Sequence, residues 1–143
     1  MSRLLTLLRE KGRDDAFVVE FTTSSAAESV QIPLAGSVDV VIDWGDGTVE
    51  AVSSTYPTHE FAEAGLHTVR VTGSAATLGG TTSPSALWTG TVTAVRSFGD
   101  VGFISFFAAF RSVTANVAMP SAIPSTITNM TEIFLNSSFN QDI

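Results

Sequence analysis

The sequence predicts a mainly β protein, a small β-sandwich followed by a short repeat segment, and three observations lead there. Short apolar runs alternate with polar residues between Gly, Pro, Asp and Ser turns, the period-2 pattern of strands with one buried face. Ser, Thr, Ala, Val and Gly are abundant while charged residues make up only 15%, which suits strands and tight turns better than a helical bundle. Beyond residue 91 the texture changes, and aligned residues recur 24 positions apart.

The 143 residues suffice for one ordinary domain or two small ones, with about 68% of the unfolded surface buried. Cysteine is absent, so stability is expected from packing rather than from disulfides or a thiolate zinc site. Residues 1–8 are too short and interrupted for the apolar part of a signal peptide. The best apolar run, 101–110, includes Gly102 and Ser105 and falls short of the ~18 residues of a membrane span. A soluble product made in a cytoplasm is the expectation.

Residues 1–15 read as an N-terminal arm. Arg3, Arg9, Lys11 and Arg13 are four of the seven basic residues in a chain of net charge −7, so the body that follows is strongly acidic. An acidic body repels phosphates and anionic membranes, and neither nucleic acid nor a membrane is expected as a partner. The arm reads either as a solvated terminus or as a peg that docks on an acidic surface, with those four residues as the particle-anchoring candidates.

The sandwich is expected over residues 16–73. Its candidate strands are 17–22, 30–34, 38–44, 48–52 and 66–72. In the third, Val38, Val40, Ile42 and Trp44 share one face and Asp39, Val41 and Asp43 the other, so Trp44 is expected to point inward. Gly45-Asp46-Gly47 supplies the positive φ values of a tight hairpin loop, and Thr48 starts the return strand. In the last strand His67, Val69 and Val71 are expected in the core, with Thr68, Arg70 and Thr72 facing out. Gly65 marks the entry to that strand, and Phe61 is close enough upstream to plug the end of the sandwich.

Asp43-Trp44-Gly45-Asp46-Gly47-Thr48, then Thr58-His59-Glu60-Phe61, then Gly65-Leu66-His67-Thr68-Val69-Arg70-Val71, resemble the central hairpin and closing strand of PKD-type immunoglobulin-like domains. The one departure is His67, where that family usually places an aromatic. The resemblance implies an immunoglobulin-like sandwich that binds or spaces, and it implies no catalysis.

Residues 74–91 are dominated by Gly, Ser, Thr and Ala and read as a connection, in which Trp88 wants a surface to cover. Over 92–143, placing Phe103-Ile104-Ser105-Phe106 on Ile127-Thr128-Asn129-Met130 aligns Phe110 with Phe134 and Asn116 with Asn140. A period of 24 falls in the range of leucine-rich-repeat solenoids, whose units bury their apolar side only by stacking. Val92-Thr93-Ala94-Val95-Arg96-Ser97-Phe98-Gly99-Asp100, the pair Met119-Pro120 and the closing Ser138-Phe139-Asn140-Gln141-Asp142-Ile143 resemble the BspA-like leucine-rich-repeat family. That family occurs on bacterial surfaces and in bacteriophage genomes, often behind an immunoglobulin-like unit. The segment stops inside a repeat, so either a longer product or a partner covering the open end is expected.

Chemistry-bearing residues are few. Asp43 and Asp46, with Asp39 and Glu50 nearby, could offer oxygens to calcium, but their spacing is not that of an EF-hand loop, and turn-making is the favoured reading. His59 and His67, eight apart, would need Glu60 or Glu63 to complete a zinc site. Phe98, Phe103, Phe106, Phe107 and Phe110 are expected as solenoid core. No nucleophile elbow, phosphate loop or zinc-helix motif occurs. Neither an enzyme nor a cofactor is therefore expected.

The resulting expectation is a structural or attachment protein on the surface of a bacteriophage virion, as head decoration or fibre component. Its partners would be other virion proteins or copies of itself in a homo-oligomer, and a host-surface glycan or protein. The alternatives are a bacterial cell-surface adhesin and an accessory binding module of a larger carbohydrate-active protein.

Overall fold

The computed structural model describes residues 15–141; the anchoring candidates Arg3, Arg9, Lys11 and Arg13 lie outside the described residues. The elements in order are β1 (Phe17–Thr23), β2 (Glu28–Gln31), β3 (Leu34–Asp43), β4 (Val49–Val52), β5 (Thr58–Phe61), β6 (Gly65–Leu78), α1 (Ala86–Thr89) and β7 (Val92–Ser97). The protein is mainly β, as its composition predicts. An antiparallel sheet of five strands in the order β4-β3-β6-β1-β7 packs, sandwich-like, against the two-stranded sheet β2-β5.

The period-2 patterns place side chains as expected. Val38, Val40 and Ile42 of β3 are buried, and so is Trp44 just after it, while Asp39, Val41 and Asp43 face out. In β6 Val69 and Val71 are buried, and His67 is half-buried at the end of the same face. Phe17, Val19 and Phe21 from β1, Val30 from β2 and Phe61 from β5 complete this part of the core.

Three details differ from the expected strands. The run 30–34 is not one strand: β2 ends at Gln31, and β3 begins at Leu34. Pro33 between them has no N–H to donate to a ladder, so the chain changes sheets there. Residues 58–61 form a strand of their own, pairing Val30 with His59 and Ser29 with Glu60. Finally, β6 runs to Leu78, six residues beyond the expected end at Thr72. Gly73 permits this, because it takes φ 107° and a Cβ there would lie 2.5 Å from the Asp39 carbonyl oxygen. Only glycine lets β3 approach so closely, so a residue that reads as a turn lies inside a strand.

The second half of β6 carries the fold into the repeat segment. On one side it pairs with β3, Ala75 facing Val38; on the other Thr77 bridges in parallel to Ser105, which bridges in parallel to Asn129. β7 pairs antiparallel with β1, and Ala94 bridges in parallel to Ala118. Residues 103–118 thus lie as a coil against β6 and β7, and residues 127–141 as a second coil against the first.

Between these coils the backbone repeats itself bond for bond. The amides of Phe106, Ala108, Phe110 and Ser112 donate to the carbonyls of Asn129, Thr131, Ile133 and Leu135 at 2.8, 2.9, 2.8 and 2.9 Å. The intervening amides turn back within their own coil: Ala109 to Phe106, Arg111 to Ala108 and Val113 to Phe110, matched by Ile133 to Met130, Leu135 to Glu132 and Ser137 to Phe134. Left-handed φ values recur in step, 54° and 61° at Ala108 and Ser112, 59° and 57° at Glu132 and Asn136. Side chains add links at the same 24-residue offset, Thr128 Oγ1 donating to the Ile104 carbonyl and Asn140 N to Asn116 Oδ1.

One core serves both parts. Trp88 of α1 packs edge-on to Phe21 at 5.8 Å and against Phe110 at 5.8 Å, and Phe110 stacks on Phe134 at 5.9 Å. This aromatic column runs from the main sheet into the last coil. Buried Trp88 donates its Nε1 proton to the Ala109 carbonyl at 2.7 Å, so its one polar atom is satisfied. Phe98, Phe103, Phe106 and Phe110 are buried, whereas Phe107 remains half-exposed. Phe107 points away from the interior because its neighbours Phe106 and Ala108 take the inward positions.

Candidate functional site

The densest group of polar and aromatic side chains sits at the end of the sandwich, around the loop that joins β3 to β4. Asp43 Oδ1 accepts from the Gly45 amide at 2.9 Å and Asp46 Oδ1 from the Thr48 amide at 3.0 Å. Trp44 N donates to the Thr48 carbonyl at 3.0 Å, closing the loop. Each aspartate thus binds the amide two residues on, which fixes the turn locally. Gly45 and Gly47 take φ values of 82° and 95°, and a Cβ on Gly45 would lie 2.3 Å from the Thr68 carbonyl oxygen. The hairpin therefore packs its own backbone against β6.

The other Asp46 oxygen reaches β5. Oδ2 lies 2.7 Å from His59 Nε2, and since an ionised carboxylate only accepts, that nitrogen carries the proton. Burial opposes the charge on Asp46, but the hydrogen bonds from His59 and Thr48, with the attraction of His59, outweigh it and hold its carboxyl below the usual range. The His59 ring lies flat on the Trp44 indole, centroids 4.7 Å apart at 13°. Trp44 Nε1 donates to Glu50 Oε1 at 2.8 Å. A fully buried tryptophan thereby keeps its polar edge bonded at the rim.

Phe61 joins the two histidines. Its ring meets His59 edge-on at 4.9 Å and stacks on His67 at 3.7 Å and 4°. His67 Nε2 lies 3.0 Å from the hydroxyl of buried Thr23. The imidazole therefore fills the slot expected for an aromatic while keeping a hydrogen bond, and the sequence gives no sign that Thr23 supplies it. Glu63, Ala62 and Gly45 join Asp46, Phe61 and His67 around a cleft of about 420 Å³.

The arrangement assembles turns and stacks rather than reacting groups. The loop brings Asp43 and Asp46 together, but each has one oxygen on a backbone amide, and Asp46 has its second on His59. His59 meets Phe61 edge-on and His67 stacks on it, and the two imidazoles bond different partners, Asp46 and Thr23. Among the described residues no three His, Asp or Glu side chains converge in a group able to hold a metal ion. Asp39 faces out from β3, away from the loop.

A second feature was missed in the sequence. The amides of Met130, Glu132, Phe134 and Asn136 occupy the places of Phe106, Ala108, Phe110 and Ser112 in the preceding coil, yet among the described residues they donate to nothing. The 24-residue alignment was the signal available, since it maps each free amide onto a bonded one. Comparison of the chain with family models, with curated proteins and with solved structures gave no match.

Proposed function

We propose that this chain is a non-catalytic structural or attachment protein, in which a PKD-type immunoglobulin-like sandwich carries a short BspA-like leucine-rich-repeat stack at the surface of a bacteriophage virion. In that reading it is a head decoration or fibre component, and the basic arm with Arg3, Arg9, Lys11 and Arg13 holds it to the particle. The observation that carries the proposal is the merger of the two parts: β6 belongs to both, and the Phe21, Trp88, Phe110, Phe134 column gives them one core. Such a body holds a repeat surface at a fixed angle to its base, which a spacer or presenting protein needs and a flexible tether does not supply. The cleft beside Asp46 supports the same reading, because the Asp46 carboxylate is engaged by Thr48 and His59 and His67 by Thr23.

The test is immunogold labelling of purified particles with antibody to this chain. Regular labelling of the particle surface is expected, and deletion of residues 1–15 should abolish it. Label confined to the bacterial envelope would favour the cell-surface adhesin instead. Full occupancy by the deleted chain would remove the anchoring role.

A further inference from the structure

A cleft of about 270 Å³ opens between the two-stranded sheet and the loop that follows β6, lined by Gln31, Tyr56, Thr81, Ser83 and Ser85. None of these residues carries a charge, in a chain whose net charge is −7. Every polar group on them is a hydroxyl or a carboxamide, kinds that both donate and accept. Thr81 Oγ1 accepts from the Ser83 amide and Ser85 Oγ from the Leu87 amide, each at 3.1 Å. Those bonds fix where the two hydroxyls sit and leave their protons to be donated outward. The Asp46 cleft has its Asp46 and His67 side chains engaged, whereas the Gln31 carboxamide and the Tyr56 hydroxyl have no partner among the described residues.

The walls of this cleft are held in place. Tyr56 takes a left-handed φ of 55°, which is unfavourable for a bulky residue and persists only where the surroundings hold it. Its amide donates to the Leu34 carbonyl at 2.9 Å, and the carbonyl of the next residue, Pro57, accepts from the Ile32 amide at 3.0 Å. Across from it the Gly79 amide donates to the Pro33 carbonyl at 2.7 Å and the Gly80 amide to the Phe107 carbonyl at 2.8 Å. Gly80 also leaves room for the tyrosine, whose hydroxyl lies 3.5 Å from where a Cβ would stand.

We infer that this cleft binds a neutral carbohydrate, with one sugar residue resting on Tyr56 and hydrogen-bonded by Gln31, Thr81, Ser83 and Ser85. A sugar hydroxyl donates and accepts as the lining groups do, and the slightly positive C–H face of a sugar ring suits the negative face of an aromatic one. The volume lies just under the ~300 Å³ at which ligand pockets begin, which fits one ring with the rest of a glycan outside. An anionic sugar meets no cation among the lining residues, and the acidic body repels it. A polypeptide segment fits worse, because a single ring is a small apolar anchor and no carboxylate lines the cleft to pair with the arginines of residues 1–14. The cleft is also set apart from the outer coil, since Gly80 bonds the coil at 103–118 and that coil in turn bonds residues 127–141. The inference does not depend on the virion reading, because the cleft is the same wherever the protein is carried.

The probes are maltotriose, lactose and N-acetylated chitotriose, with sialyllactose as the anionic counterpart of lactose. Each is titrated to about ten millimolar into the full chain while its nuclear magnetic resonance spectrum is followed. At least one neutral sugar should bind with a Kd of about a millimolar. It should shift the ring signal of Tyr56, the single tyrosine of the chain, and the amides of residues 81–85, leaving Asp46 and His67 unmoved. Tyr56→Gly, which suits the left-handed backbone, should abolish those shifts, and Gln31→Ala should weaken binding about three- to tenfold. Glu63→Gln, in the Asp46 cleft, should change nothing. The inference is overturned if no neutral sugar shifts these signals, if the shifts survive either variant or centre on Asp46, or if sialyllactose binds more tightly than lactose. Binding seen only after deletion of residues 1–14 would make the arm the occupant and overturn it as well. None of these outcomes bears on where the protein is carried.

Discussion

The sandwich and the coils contribute to one core but satisfy their backbones in different ways. In the sandwich, antiparallel neighbours exchange bonds, as where β6 lies between β1 and β3. In the coils, the alternate amides of Phe106, Ala108, Phe110 and Ser112 donate to the next coil, while Thr128 and Ser138 donate back to the carbonyls of Ile104 and Val113. A sandwich pairs its strands through exchanged ladder bonds, whereas stacked coils bury their apolar side only against a neighbouring coil. The difference teaches how each part is held: side-chain bonds to backbone amides fix the hairpin end, and repeated backbone bonds set the spacing of the coils.

The largest effects should separate buried positions from their 24-residue counterparts. Phe106→Ala should cost about 3–5 kcal/mol, the usual range for emptying a filled aromatic site. Met130→Ala, at the matching but exposed position, should cost less than about 1 kcal/mol. Chemical denaturation of both variants checks this, and equal losses would break the comparison. Gly45→Val comes next: its Cβ would meet the Thr68 carbonyl oxygen, and its φ of 82° suits glycine. A loss of more than about 2 kcal/mol is expected.

How much of this was legible in the sequence varied by element. The hairpin was readable because Asp and Gly at fixed offsets state their own turn chemistry, and Trp44 was readable because alternation through Val38, Val40 and Ile42 assigns it a face. The continuation of β6 through Gly73 was not, since a glycine that allows close approach looks the same as one that makes a turn. Nor was the strand at 58–61, whose Thr-His-Glu-Phe has no strong alternation and is held by its pairing with β2. In the coils the repeat length was readable. The bends at Ala108, Ser112 and Glu132 were not, because these residue types have no local preference for left-handed backbone; only Asn136 is of a type that favours it.

Smaller effects sharpen the comparison further. Asn116→Ala removes the acceptor for the Asn140 amide and should cost about 1 kcal/mol, while melting at the hairpin end stays unaffected. For Asp46, whose folded carboxyl is held below its ordinary value, the stabilisation is fully present above the unfolded carboxylate value, near 3.9. It is lost as pH falls below that value through the folded one. Melting curves from neutral pH to below pH ~3.9 should show a steeper acid loss in the parent than in Asp46→Asn, which keeps an oxygen for the Thr48 amide. Identical acid slopes would show that the His59 contact contributes nothing.

The central claim is that alternate amides of one coil bond the carbonyls of the next in a 24-residue repeat, and native-state amide exchange of the unmodified chain at low concentration tests it most directly. The amides of Phe106, Ala108, Phe110 and Ser112 should be slow, and those of Met130, Glu132, Phe134 and Asn136 at least about a hundredfold faster. Similar rates in the two rows, or fast exchange in the inner row, would contradict the account.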